Sequence, residues 1–276
     1  MNKSFAEHQA VRSTEPLRQG DVLESVDLRA SMWTRHLLVI TADCDFAHGK
    51  NQGRVTCVPL LDANEYLLEM QVPRQREKLV RRPVAEVREM SLRIAGADIS
   101  EKRLRQWVQE DSPNAVVAAL KFTGTDRERA LARLNAIRLL DSQPLSLDSA
   151  LRNLVEATLA ISPTTKRESA LAKVIEPFRQ TYSQPPGDAL FLSSIAESCD
   201  TGYFAYLRHM EHVPEATISL GPARQEVGYR RISRLADRYS HALVQRFAMV
   251  FLSIGLPQEY EELRDLHAEY IGEELT

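Results

Sequence analysis

The segment around Asp43, Cys44 and Asp45 is the part of the sequence best suited to chemistry. Two carboxylates one residue apart can bind Mg²⁺ or Mn²⁺. They can also divide the roles of general acid and general base, because like charge raises the pKa of one of them. If the segment ends a strand, alternation places Asp43 and Asp45 on one side and Cys44 on the other. The alternative is that one aspartate caps a turn and Cys44 is a small buried apolar side chain.

Four polar residues near this segment complete the candidate catalytic set. Asp43 and Asp45 would organise the site and bind the metal ion, with four supporting groups: Thr41, Arg35, His48 and Lys50. No motif identifies a cofactor, so Mg²⁺ or Mn²⁺ is the only one that these residues suggest. Two negative charges at the end of a buried strand are costly without a use, which favours the functional interpretation.

Cysteine and histidine offer two further metal-site hypotheses. A tetrahedral zinc site would need four side chains to meet at one rim: Cys44, His48, Cys57 and Cys199. Cys57 lies within a predicted strand, however, which favours unlinked buried thiols. His209 and His212 have a spacing that chelates metals on a helix, but a strand would point the two side chains to opposite sides.

Residues 72–105 are locally basic and form the candidate nucleic-acid-binding region. Arginine side chains suit phosphates, and a tryptophan can stack on a base. The residues that we expect to bind nucleic acid are Arg74, Arg76, Arg81, Arg82 and Trp107. The alternative is a solvated helical face, in which neighbouring carboxylates balance these charges: Glu77, Glu86, Glu89 and Glu101.

Composition excludes several classes of protein. The 276 residues, 43% of them hydrophobic and 26% charged, are typical of a globular protein with a sizeable core. The net charge of −3 gives no general attraction to phosphate backbones, so a nucleic-acid surface must be local. Three cysteines and a polar N-terminus without a signal peptide predict a cytoplasmic protein with reduced thiols and no membrane contact. Phosphate-binding glycine loops, dinucleotide fingerprints, serine elbows and HExxH motifs are absent.

The sequence has strand patterns at both ends of the chain and helical patterns between the two ends. These elements would position the candidate site residues. We expect strands at 19–23, 37–41, 54–61, 188–195, 202–210 and 229–235, and a final helix at 238–254. Three N-terminal strands alone would leave exposed edges, so the two sets should pair in one small barrel. The predicted α+β organisation is a flexible arm over 1–16, a β-barrel with its C-terminal helix over 17–62 and 186–257, a helical insertion over 63–185 and an acidic tail over 258–276.

The strand segments resemble the MazF/PemK family of toxin ribonucleases. The similarity as a whole covers about a third of the chain, and the residues that carry it are Gln19–Val22, His36–Thr41, Val55–Leu60 and Ile232–Leu235. The resemblance implies an SH3-like barrel that acts on RNA, with Arg35 as a counterpart of the family's catalytic arginine and Thr41 at its hydroxyl position. The helical insertion and the Asp-Cys-Asp cluster are foreign to that family.

Two functional hypotheses follow from different classes of protein. The first is a bacterial conflict-system protein, of a toxin–antitoxin or phage-defence system, that binds or cleaves RNA at the Asp-Cys-Asp turn. The second is a non-catalytic adaptor whose helical insertion docks a partner protein encoded beside it. A small neighbouring antitoxin gene favours the first, and a neighbouring nuclease or ATPase gene favours the second. The sequence leaves open whether the protein is an enzyme and whether it forms a homodimer.

Overall fold

The apolar run that follows Arg35 forms a fully buried strand near the centre of a curled sheet. The computed structural model describes residues 7–221, 227–252 and 258–270, and it is a mixed α+β fold with 55% helix and 17% strand. The strands are β1 (His8–Gln9), β2 (Asp21–Ser25), β3 (His36–Val39), β4 (Arg54–Asp62), β5 (Ala189–Leu192), β6 (Tyr203–Tyr206), β7 (Glu211–Pro214), β8 (Ile218–Ser219) and β9 (Tyr229–Leu235).

Helices occupy most of the chain between β4 and β5 and follow β9. They are α1 (Met32–Arg35), α2 (Asp43–Ala47), α3 (Ala63–Tyr66), α4 (Val72–Ala95), α5 (Glu101–Glu110), α6 (Pro113–Ala119), α7 (Gly124–Asp141), α8 (Leu147–Ile161), α9 (Arg167–Ser183), α10 (Asp237–Leu252) and α11 (Gln258–Tyr270). A π-helical turn, Leu67–Gln71, joins α3 to α4, and a short 3₁₀ turn, Glu215–Thr217, precedes β8. None of the described helices combines the length and the apolar character needed to cross a membrane.

The two strand sets pair with each other, as the sequence predicts. The sheet order is β1-β9-β2-β3-β4-β6-β5, with β7 also paired to β4 and β8 to β9. The nine residues of β4 pair with β7 through Arg54–Cys57 and with β6 through Leu60–Asp62, so one long strand serves two partners along its outer edge. All pairings except that of β8 with β9 are antiparallel. The result is a curled half-barrel.

Separate apolar clusters lie in the helical block and on the two faces of the sheet. Helical spacing buries Leu134, Ile137 and Leu140 of α7 in the first cluster, which packs α4, α7 and α8 together. Leu38 of β3 and Leu243 of α10 belong to a second cluster on one face of the sheet. A third cluster covers the other face. The helical block lies between β4 and β5 in the chain, and its cluster also includes Leu61, Ala189 and Phe204 of the sheet.

The N-terminal arm differs from the prediction wherever the structure describes it. The strand β1 pairs with β9, and the buried Glu7 carboxylate accepts hydrogen bonds from the backbone N–H groups of Ser193 (2.8 Å) and Ser194 (3.1 Å). The side chain of Arg231 donates to the carbonyl oxygens of Arg12 (2.8 Å) and Pro16 (3.0 Å). Residues 7–16 are therefore held against the sheet rather than forming a flexible arm; residues 1–6 lie outside the described part of the chain.

A buried charge cluster fixes this attachment. Asp21 is fully buried and accepts from Arg234 Nε at 2.6 Å, from Arg231 Nη1 at 3.2 Å and from the Arg18 backbone N–H at 2.9 Å. The side chains of Arg231 and Arg234 are only 1% and 5% exposed. Because buried charges need compensating partners, these residues bind the turn before β2 firmly to β9. We call Asp21, Arg231 and Arg234 the Asp21 cluster.

The C-terminal region agrees with the prediction in part. The predicted helix over 238–254 corresponds to α10, Asp237–Leu252; its last predicted residues lie outside the described chain. The predicted acidic tail over 258–276 is helical over Gln258–Tyr270, and every described side chain of this helix is exposed.

Candidate functional site

The Asp-Cys-Asp segment begins a short helix and does not end a strand. Asp43 is the first residue of α2. The predicted arrangement, with Asp43 and Asp45 on one side of a strand and Cys44 on the other, is therefore wrong. One oxygen of Asp43 accepts from Arg18 Nη2 at 2.7 Å and Nε at 3.0 Å, and the other accepts from the Gln19 backbone N–H at 2.8 Å. Partial burial by itself would raise the pKa of Asp43, but the bonds from Arg18 and Gln19 outweigh it and hold the pKa below its usual range. Both oxygens of Asp43 thus already accept hydrogen bonds, and its lowered pKa makes the carboxylate unsuited to accept a proton near neutral pH.

The supporting catalytic candidates do not gather around Asp43. The Thr41 hydroxyl accepts from the Thr56 backbone N–H at 2.7 Å and so extends the pairing of the strands. Arg35 pairs with Glu65 at 2.9 Å and precedes β3, whereas Asp43 follows it. Four strand residues span roughly 13 Å, so Arg35 and Asp43 lie at opposite ends of β3.

The remaining candidates of this set surround the end of α2. The Asp45 carboxylate lies within 3.8 Å of the thiol of Cys44, and the side chains of His48 and Lys50 are exposed to solvent. The structure therefore brings Asp43 together with Arg18 and leaves Thr41, Arg35, His48 and Lys50 in other roles.

An open cavity of about 360 Å³ lies beside α2. Its polar lining combines the carboxylates of Asp43 and Glu215 with the guanidinium of Arg18, and Phe46 supplies apolar surface. Two carboxylates and one guanidinium do not attract a phosphate group. For a divalent ion the donor set is also poor, because Arg18 already holds Asp43.

The predicted metal sites do not assemble. Within residues 7–221, 227–252 and 258–270, no three His, Cys, Asp or Glu side chains are placed to hold a metal ion. Cys57 is buried in β4, and burial raises the pKa of its thiol, whereas Cys44 is exposed. His209 Nε2 lies 2.7 Å from Glu211, and His212 Nδ1 lies 3.3 Å from the Thr56 hydroxyl. The four side chains of the zinc hypothesis therefore do not meet at one site. The two histidines have separate partners, with His212 in β7 and His209 in the loop before it.

The predicted nucleic-acid-binding residues divide into two groups. Three have structural partners: Arg76 donates to the Leu140 carbonyl, Arg82 Nε donates to Glu86 at 2.8 Å, and Trp107 Nε1 donates to Asp111 at 2.8 Å. Of these three, only Arg82, paired with Glu86, fits the alternative of arginines balanced by neighbouring carboxylates. Arg74 and Arg81 are exposed and have no hydrogen bond or ion pair with any residue that the structure describes.

Arg74, Lys78 and Arg81 form a line of exposed cations on α4, which we call the α4 stripe. Lys78 also has no ion pair within the described chain, and the spacings of four and three residues place all three side chains on one face of the helix. At 1.5 Å per residue the stripe extends about 10 Å along the helix axis. Most other arginines of the 72–105 segment are paired; Arg105, for example, binds Asp141 at 2.6 Å.

The α4 stripe continues onto the sheet through Arg208. Arg74 and Arg208 line an open cavity of about 360 Å³, where Arg208 Nε also pairs with Asp188 at 2.9 Å. Burial and the carboxylate of Asp188 raise the pKa of Tyr206, and the charges of Arg208 and Arg74 oppose this rise. Tyr206 ends β6, two residues before Arg208.

Aromatic rings extend this surface beyond Tyr206. The Trp33 ring centroid lies 5.9 Å from that of Tyr206, and Trp33 stacks on His209 at 5.1 Å with an interplanar angle of 26°. The α4 stripe, Arg208 and these three rings together form what we call the basic–aromatic surface. The sequence hypothesis included Arg74 and Arg81 but missed Arg208, Tyr206, His209 and Trp33. The closeness of Tyr206, Arg208 and His209 in the chain is the signal that could have indicated these three residues, whereas no local signal indicated Trp33.

No protein-family model, curated protein or solved structure matches the chain. The resemblance to the MazF/PemK family stays a prediction from the residues of the strand segments.

Proposed function

We propose that this protein binds single-stranded RNA along the basic–aromatic surface. The observation that carries the proposal is the α4 stripe, whose three cations have no partner among the described residues although carboxylates pair most neighbouring arginines. Cations arranged in such a line attract successive phosphates of the RNA backbone, and their binding releases the counterions of those phosphates. Arginine and lysine are both present, and the guanidinium of Arg74 suits bidentate phosphate contacts.

The aromatic end of the surface favours a single strand over a duplex. Bases of a single strand are free to stack on exposed rings, whereas the bases of a duplex are already stacked on each other. His209 is 39% exposed in its side chain and lies on Trp33, so one face of a base can extend this stack. Arg208 directly precedes His209 in the chain and lines one cavity with Arg74, so these two arginines offer a site for the phosphate next to the stacked nucleotide.

We propose binding rather than cleavage. Asp43 is held by Arg18, and Arg35 lies at the other end of β3, so the two groups expected to share a reaction are apart. Two carboxylates border the basic–aromatic surface, and both are already engaged: Asp188 with Arg208 and Glu211 with His209.

The wider setting of the proposal comes from the sequence. We propose a cytoplasmic protein of a bacterial conflict system, in which the half-barrel is an SH3-like scaffold. The order β2-β3-β4, with β9 beside β2 and a helix after β9, supports that scaffold.

The test is RNA affinity measured by fluorescence anisotropy with a labelled, unstructured 20-nucleotide RNA at several salt concentrations. We expect Arg74→Gln/Lys78→Gln/Arg81→Gln to weaken binding. The variant should also lower the slope of log affinity against log salt by about 2, since each phosphate contact with a single strand contributes roughly 0.7. The matched control removes three exposed lysines elsewhere: Lys121→Gln, Lys166→Gln and Lys173→Gln. Equal losses in both variants, or no RNA binding by the parent protein, would refute the proposal.

One observation favours the adaptor hypothesis as a second candidate. Leu145, between α7 and α8, is 98% exposed and borders an open cavity of about 260 Å³ that Leu68 and Leu147 also line. A leucine projecting beside an apolar recess is suited to a protein contact. Under this hypothesis Leu145→Asp abolishes co-purification with the protein encoded by a neighbouring gene. Unchanged co-purification contradicts it.

A further inference from the structure

The exposed face of α11 has a charge pattern complementary to that of α4. Glu259, Glu262 and Leu266 follow one another at spacings of three and four residues, so they lie on one face of α11. On α4 the spacing of Lys78, Arg81 and Ala85 is the same, and all three are exposed. Two acidic residues followed by an apolar residue therefore match two basic residues followed by an apolar residue.

The position of α10 gives α11 access to this face. Met249 and Val250, in the last turn of α10, line the same cavity as Arg74, at the beginning of the α4 stripe. Residues 253–258 separate the last residue of α10 from Glu259, and a chain of this length spans up to roughly 20 Å. Lys78 lies only about 6 Å beyond Arg74 along the axis of α4. The start of α11 can thus reach Lys78 with the two helices parallel.

We propose that α11 docks on the α4 stripe of its own chain, with Glu259 opposite Lys78, Glu262 opposite Arg81 and Leu266 over Ala85. The described arrangement, in which the described side chains of α11 are all exposed, leaves the stripe open. Docking covers the α4 stripe with the carboxylates of α11, which lie where the phosphates of RNA would bind. The docking stands on the charge pattern of the two helices and on the position of α10, and its consequence, competition with RNA, rests on the proposed function.

Zero-length cross-linking of the full-length protein tests the docking without RNA. A water-soluble carbodiimide joins an amine to a carboxylate only when the two are in contact. We expect an amide between Lys78 and Glu259 or Glu262 in the monomer band at low salt, identified by peptide mass spectrometry. Lys78→Arg keeps the charge but removes the amine and should abolish the product, whereas Lys121→Arg should not. No such product, or a product found only in dimers, overturns docking within one chain.

RNA affinity tests the regulatory consequence. Glu259→Gln/Glu262→Gln should tighten RNA binding by about two- to tenfold, since it removes two competing ion pairs at the surface. The control Glu128→Gln/Glu168→Gln removes the same charge from exposed sites on the helical block and should leave the affinity unchanged. A cross-link without any RNA binding sinks the proposed function and leaves the docking standing. RNA binding without the cross-link sinks the docking alone.

Discussion

Replacing Asp21 by asparagine tests whether the Asp21 cluster holds the N-terminal segment on the sheet. The carboxylate is fully buried, and the guanidiniums of Arg231 and Arg234 around it are almost as buried. Asparagine keeps the shape but removes the charge, which leaves Arg231 without its ion pair and Arg234 with only the exposed carboxylate of Glu15, at 3.2 Å. Breaking a buried pair in this way costs about 3–5 kcal/mol. Since asparagine retains one acceptor oxygen, we expect a loss of about 3 kcal/mol in the free energy of unfolding.

The assay is urea unfolding followed by circular dichroism, with thermal unfolding beside it. For a chain of this size, about 3 kcal/mol corresponds to a decrease in Tm of roughly 6–12 °C. Hydrogen exchange should show faster exchange in residues 12–18, because Arg231 holds the Arg12 carbonyl and Asp21 holds the Arg18 N–H. If the loss of protection from hydrogen exchange is confined to residues 12–18 and β9, the substitution loosens the attachment of this segment to the sheet.

Asp43→Asn is the matched control, since it makes the same chemical change in another aspartate–arginine pair. The side chains of Asp43 and Arg18 are 44% and 50% exposed, and exposed pairs contribute only about 0–1 kcal/mol. Asp21→Asn and Asp43→Asn differ mainly in how deeply the altered side chain and its arginine partners are buried. If Asp21→Asn costs no more than Asp43→Asn, the reasoning from buried charge is refuted.

Two further predictions concern titratable groups. Partial burial would raise the pKa of Glu86, but hydrogen bonds led by those from Arg133 and Arg82 lower it to about 2. Because this pKa is depressed on folding, its stabilisation is present above the usual range near 4.5 and is lost as the pH falls towards 2. Glu86→Gln should therefore flatten the pH dependence of the free energy of unfolding in that window, and an unchanged profile contradicts the assignment. Burial raises the pKa of the Cys57 thiol, so a disulfide reagent should modify exposed Cys44 in the native protein and Cys57 only after unfolding. Rapid native labelling of Cys57, detected by mass spectrometry, would contradict its burial.

The strands were predictable because burial on both faces leaves a local pattern. The runs in 37–41 and 54–61 are rich in apolar or β-branched residues, and each largely coincides with a strand of the sheet. The pairing of the two strand sets also followed from sequence, since three strands alone leave open edges. The beginning of α2 was not predictable in this way. A helix of five residues has too few positions to show a period, and its first residue is fixed by Arg18, distant in sequence.

In the candidate site, too, some features were predictable from the sequence and others were fixed only by the fold. Sequence located a basic segment and included Arg74 and Arg81 in it, because charge is a property of each residue. It could not separate these two from Arg76, whose partner Leu140 is 64 residues away, although the partners of Arg82 and Trp107 lie only four residues further along the chain.

By itself the sequence determined the α+β class, the long helical insertion between two strand sets, and the charged segments. Only the tertiary structure decided which charges remain available. It paired Asp43 with Arg18 and Asp21 with Arg234, and it placed Arg208 beside Arg74 although they lie far apart in the chain. The physical reason is that an ion pair depends on the distance between two side chains and on their burial, and the fold sets both.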